Sequence, residues 1–316
     1  GDGAPDTLVS GGDLVFEGGF ELRPTEDFTL QAARIAGLSP NGFGEATTIT
    51  GAAIHLKGTS SSWVYDASSV SPDLRDNPTY NLSNPDDLND LVLHASSEMT
   101  VGGGHLLMDG FETIRLESDT TITFQGEGSL TADFDGTGTQ SMTFDAPVVT
   151  ASTAGSLTME AEQIAHQGTL DIPGGHIMIS AAGDVELLAG SEILARGGII
   201  AYPLGSPGDD EPFEPTSFRI VAGAYSSGDG EATERKGKLD ITGGGGSAEA
   251  GTHEGEAVTV DVFQGGSVTL ESGQGDVLRE GSALIDVSND QKTAEEIVAL
   301  LGDEQASRLA EAGLLD

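Results

Sequence analysis

The feature that most limits what this chain can fold into is an internal repeat. Residues 175–195 (GHIMISAAGDVELLAGSEILA) align with residues 266–286 (GSVTLESGQGDVLREGSALID) at an offset of 91. Ile177 and Ile179 match Val268 and Leu270, and Gly183-Asp184-Val185 matches Gly275-Asp276-Val277. The second copy gains one residue at Gly275 and in this alignment loses it by Gly281, so that Gly190-Ser191 matches Gly281-Ser282. Shorter echoes open with Gly128-Ser129-Leu130-Thr131 and Gly155-Ser156-Leu157-Thr158, 27 residues apart, and Gly175 follows 20 later. Self-similarity at such spacings marks stacked repeats, in which each unit covers its neighbour's apolar face. A sandwich or barrel of short strands does not require it.

The content of each repeat is strand. Alternation of apolar and polar residues runs through Leu14-Val15-Phe16, Ile54-His55-Leu56, Ile114-Arg115-Leu116 and Ile122-Thr123-Phe124. Gly, Asp, Asn and Ser separate these runs. Stacking such units places like residues above like, about 4.8 Å apart, with apolar ladders inside and glycine at corners that need a positive φ. The expected fold is all-β, a right-handed parallel β-helix over residues 1–288 with about ten coils of roughly 20–27 residues. Excursions are expected at about 60–90, 202–216 and 225–237, each rich in Pro or polar residues. Residues 289–316 read differently. Asn289-Asp290 caps a helix from about Thr293 to Leu301, Gly302 stops it, and Glu304 to Ala312 makes a second. The pair forms a short α-helical C-terminal cap or begins the next segment.

Charge narrows the partners. Thirteen Lys+Arg stand against 52 Asp+Glu, a net charge of −39. Repulsion from phosphate excludes nucleic acid as a partner and disfavours an anionic membrane surface. Such acidity suits a saline medium, where self-repulsion is screened. Recurrent Val, Ile, Leu and Thr runs mark a folded chain despite 46 Gly. With no Cys, disulfides, thiolate metal sites and cysteine nucleophiles are all absent. No apolar run reaches the roughly 18 residues of a membrane helix, so no insertion is expected. The start at Gly1-Asp2-Gly3 reads as a piece of something longer.

Residues 266–288, 111–118 (FETIRLES), 122–130 (ITFQGEGSL) and 142–150 (MTFDAPVVT) together resemble the repeats of filamentous haemagglutinin-like exoproteins. The resemblance is diffuse and covers most of residues 10–288. It implies a right-handed parallel β-helix, export by two-partner secretion through an outer-membrane pore, and an extracellular place on the bacterial surface. It further implies a non-catalytic role as an adhesin or rigid stalk. The family's secretion domain carries Asn-Pro-Asn-Gly, which Ser39-Pro40-Asn41-Gly42 matches only in part, so the repeat region is the better assignment.

The alternative is a carbohydrate-active β-helix enzyme, a polysaccharide lyase or glycosidase. It needs two carboxyl groups at a set distance or a base beside a cation, and no basic cluster meets an acidic one on a strand face. Among 52 acids, a pair at the right distance arises by chance. His55, His94, His105, His166, His176 and His253 lack metal-ligand spacing and read as surface or turn residues. No nucleophile elbow is present. Calcium is the one cofactor with an outline, at Asp133-Phe134-Asp135-Gly136, but Phe144 stands at the twelfth position where a bidentate Glu is needed. Asp2, Asp6 and Asp13 similarly echo half of one Gly/Asp repeat, and a single copy cannot build a stacked site. No catalytic or metal residue is therefore assigned. The recognition candidates are Trp63, Tyr65 and Tyr80, three of the chain's five Trp and Tyr within one excursion. Their rings would either pin that excursion to the flank or face a glycan or protein of a host, a neighbouring cell or the matrix.

Overall fold

The computed structural model describes residues 6–24, 27–38, 46–59, 89–132, 141–152, 155–203, 217–222, 237–242, 246–253, 256–263 and 266–288. All regular structure among them is strand, and most belongs to one large sheet whose pairings are predominantly parallel. The expected excursion holding Trp63, Tyr65 and Tyr80, most of those expected at 202–216 and 225–237, the Asp133-Phe134-Asp135 calcium outline and the expected helical cap at 289–316 lie outside the described residues.

Three ladders of stacked strands account for the sheet. The first runs through β1 (Asp6–Val9), β4 (Phe28–Ala32), the second part of β6 (Ala46–Gly58), the middle of β7 (Asn89–Asp109) and the start of β9 (Thr121–Ala132). It continues through β11 (Val148–Ala151), β14 (Thr169–Asp171), β17 (Glu192–Leu194) and β25 (Leu284–Asp286), making nine levels, all parallel. The second ladder contains β3 (Glu21–Leu22), the first parts of β6 and β7, β8 (Phe111–Ser118) and β10 (Ser141–Asp145). Above it a separate sheet stacks β13 (Ile164–His166), β16 (Val185–Leu187) and β24 (Val277–Arg279).

The third ladder holds β2 (Asp13–Glu17), β5 (Arg34–Leu38) and the ends of β7 and β9. Next come β19 (Ser217–Ala222), β12 (Ser156–Ala161), β15 (His176–Ala181) and β23 (Ser267–Ser272). Long strands serve more than one ladder by bending, β7 at Gly103 and Gly104 and β9 at Gly126, all with positive φ. A side chain would be strained at such corners.

In-register stacking explains the core. Alternate residues point inward, so Ile54 stands on Phe28, Met99 on Ile54 and Ile122 on Met99, every one of them at most 3% exposed. Arg34 is one of the buried polar residues, a cation held between Asp13 at 2.6 Å and Asp109 at 3.2 Å. Charge-assisted hydrogen bonds of this kind offset the desolvation of a buried guanidinium.

The repeat at 175–195 and 266–286 is a stack of neighbouring levels: Ile177 pairs with Val268, Ile179 with Leu270 and Val185 with Val277. The extra residue at Gly275 is not lost again, however. Ile193 pairs with Ile285 and Glu192 with Leu284, so the offset stays one greater and Leu284 is left exposed. The glycines opening the repeats also differ from expectation. Gly175 and Gly266 lack a positive φ; their backbones pass so close to the level below that a Cβ on Gly175 would meet the Gly155 carbonyl oxygen at 2.6 Å.

A larger correction concerns Gly128-Ser129-Leu130 and Gly155-Ser156-Leu157, which are not adjacent levels. Strand β19, from far along the chain, lies between them and pairs in parallel with both β9 and β12. Phe218 stands over Gly128 and beneath Leu157, so the two motifs are also two residues out of register. The pairing is not wholly parallel either. β20 (Gly237–Thr242) adds antiparallel to β23, while β18 (Gly198–Pro203), β21 (Gly246–His253) and β22 (Glu256–Phe263) form an antiparallel sheet of their own.

Candidate functional site: an open level in the strand stack

The inserted strand has a consequence on the neighbouring face. β19 adds one strand between β9 and β12 in the third ladder, and β13 follows β12 after only two residues. In the second ladder nothing among the described residues matches β19: β10 pairs only with β8, and β13 only with β16. The extra strand sets β12 two strand spacings above β9, whereas on the other flank β14 stands only one above β11, so β10 and β13 splay apart toward the third ladder. The slot narrows toward the first ladder, where β11 and β14 pair directly and a Cβ on Gly168 would stand 3.6 Å from the Ala146 carbonyl oxygen.

A cavity of about 780 Å³ occupies this slot. Its lower edge is residues 141–146, its upper edge 163–168, and Leu170, Ile179 and Ile220 reach it from the core. Burial records the missing cover. On β8, Ile114 and Leu116 are 1% and 0% exposed; one level up their partners Met142 and Phe144 are only half-buried. On β16, Val185 and Leu187 are 0% and 1% exposed; one level down Ile164 and His166 are half-buried. The core is sealed below and above, and open here.

Hydrogen bonding gives the upper edge its direction. The Ile164 amide donates to Asp184 and the His166 carbonyl accepts from Leu188, both toward β16. Alternation along a strand turns the N–H and C=O of Ala165 the other way, into the slot. Among the described residues nothing pairs with them, and such a pair of backbone groups beside half-covered apolar side chains is what an added strand would satisfy.

Besides His166 and the neutral polar residues Ser141, Thr143, Gln163 and Gln167, the slot carries carboxylates. Asp145, Glu160 and Glu162 line it, and no Lys or Arg does so among the described residues. Glu160 is engaged by Arg219 of β19, whose Nε donates to it at 3.0 Å; Asp145 and Glu162 are the carboxylates left facing the opening. His166 stands where the next level has Leu187, its Nε2 3.1 Å from the Glu192 carbonyl oxygen. Burial holds its pKa below the ordinary histidine value, against the raising effect of that hydrogen bond.

Three other histidines make contacts between levels. His105 and His176 contact Ser129 and Ser267 one level up, at 2.8 and 2.7 Å through Nδ1, and His94 contacts Asp119. Among the described residues no three His, Asp or Glu converge as metal ligands. The slot itself had no signature in the sequence, since Met142, Phe144 and Ile164 follow the ordinary core alternation. The one local oddity was a histidine, His166, at an inward position. The chain matches no family model, no curated protein and no solved structure.

Proposed function

We propose that the stacked strands form a right-handed parallel β-helix. On this reading the chain is a non-catalytic, rigid segment of a large secreted bacterial surface protein of the filamentous haemagglutinin type. It acts outside the cell as a stalk or adhesin and reaches the surface through an outer-membrane pore. The observation that carries this reading is the first ladder, nine parallel levels in register from Asp6 to Asp286. At about 4.8 Å per level it spans some 38 Å from first strand to last. Parallel crossovers are right-handed in nearly all proteins, which supports the assigned hand. A stack of this kind resists bending because each level is hydrogen-bonded to the next along its whole length, a property suited to holding a distal domain away from a cell. The acidic surface keeps copies apart and soluble.

Incubation with neutral and acidic polysaccharides, followed for new reducing ends or unsaturated products, tests the non-catalytic part. No turnover is expected. Product formation with any of them refutes the stalk reading in favour of a carbohydrate-active enzyme.

A further inference from the structure

We infer that the slot between β10 and β13 is a docking site for an extended, cationic peptide segment of a partner protein, which enters as an added β-strand. The inference rests on the level order of the strands and holds whether or not the chain is a surface stalk.

Four observations define the occupant. The slot tapers, with room for one strand beside the third ladder and none where β11 and β14 pair, and the five residues of β10 limit its length to about 17 Å at 3.3 Å per residue. Its two edges offer backbone groups, the N–H and C=O of Ala165 among them, that only a strand can satisfy together. Half-buried Met142, Phe144 and Ile164 ask for apolar side chains at alternate positions on the inward side. The outward side chains of an added strand would then lie between Asp145 and Glu162, with no cation of this chain lining the slot among the described residues. Lys or Arg at those positions completes the match. A second copy of the chain is a poor occupant, because both would carry −39.

The test uses the full chain and three synthetic nine-residue peptides. One alternates Val with Lys; the second has Glu for each Lys; the third keeps the charge of the first but has Pro at its three central Val positions. Binding is read by fluorescence anisotropy at physiological salt, and backbone protection by hydrogen–deuterium exchange. The Val–Lys peptide should bind. The Glu and Pro peptides should bind at least tenfold more weakly, since one is repelled and the other loses the central amides it would donate to one edge of the slot together with its apolar side chains. In the free chain the Ala165 amide should exchange faster than those of Val185 and Leu187, and the Val–Lys peptide should slow it. Two surface variants, Asp145→Lys and Glu162→Lys, should each weaken binding at least threefold without lowering the melting temperature.

Equal binding of the Pro peptide would reduce the effect to attraction between a polycation and an acidic rod, and overturn the proposal. Protection of Ala165 already present in the free chain would mean that the chain fills its own slot, and would overturn it equally. Failure of the Val–Lys peptide to bind would also end it.

Discussion

Phe218 covers Gly128, a residue ninety positions earlier in the chain, and does so because Gly128 has no side chain. A Cβ there would stand 3.1 Å from the Phe218 ring and collide with the Gly104 carbonyl oxygen on the other side. The ring is 4% exposed and packs against Phe124 at a centroid distance of 5.0 Å. Gly128 is thus squeezed between the level below and the out-of-order strand β19. Gly128→Ala should cost about 1–3 kcal/mol as overpacking, and Phe218→Ala about 3–5 kcal/mol as a lost core aromatic. Chemical denaturation of both variants checks this. A Gly128→Ala protein as stable as the wild type would contradict the close stacking of Gly128 between Gly104 of β7 and Phe218 of β19.

Arg219 fastens the same strand from outside. Its guanidinium reaches Glu160 on β12, 59 residues earlier, and the carboxylate is the more buried of the two at 11% side-chain exposure against 30%. Arg219→Ala leaves a largely buried carboxylate without this partner and should cost about 1–2 kcal/mol, below the value for a fully buried pair because Arg219 meets solvent. A double-mutant cycle with Glu160→Gln isolates the coupling, which should be favourable. Additive effects would show the contact to be incidental.

His166 predicts a pH dependence. Its folded-state pKa is lowered, chiefly by burial, so the unfolded chain binds the proton more readily. Stability from this group is complete above the unfolded histidine pKa, near 6.5, and is lost as pH falls from there through the lowered folded value. His105 acts in the same direction, its pKa also lowered by burial and partly restored by Glu127. Protonation of surface carboxylates relieves self-repulsion over part of the same range, so the informative quantity is the difference between wild type and His166→Leu. Melting temperatures from pH 7.5 to 5 should fall more steeply for the wild type than for this variant, which restores the residue found at the next level, Leu187. Identical slopes would contradict the assignment.

Much of the architecture was legible in the sequence, and the reason is physical. Stacked parallel levels repeat the same environment, so Ile177 and Val268, or Val185 and Val277, are alike because they occupy the same rung position. Where that logic fails, reading fails too. Ser217-Phe218-Arg219-Ile220 looks like any strand, and nothing in its composition says that it slides between residues ninety and sixty positions earlier. The two Gly-Ser-Leu motifs therefore looked adjacent when they are separated by a level. The slot was hidden for a related reason: Met142 and Phe144 keep the inward pattern whether or not a strand covers them. What reveals it is β19 lying between β9 and β12 on one flank while β11 and β14 pair directly on the other. The recognition candidates Trp63, Tyr65 and Tyr80 lie outside the described residues, and their part is decided by testing Trp63→Ala for attachment to cells and for thermal stability.

The slot opens because β19 sits between β9 and β12 in a continuous parallel stack, and disulfide trapping probes that placement. The chain has no native Cys, so engineered pairs report without interference. Ser156 and Ser217 are register partners on adjacent strands, within the Cα separation that a disulfide tolerates, whereas Ser129 and Ser156 are two levels and two residues apart. Mild oxidation of the Ser156→Cys/Ser217→Cys protein should give a cross-linked species of native stability, while Ser129→Cys/Ser156→Cys should stay reduced. Efficient cross-linking of the second pair, with none in the first, would place the two Gly-Ser-Leu motifs on neighbouring levels and remove β19 from between them.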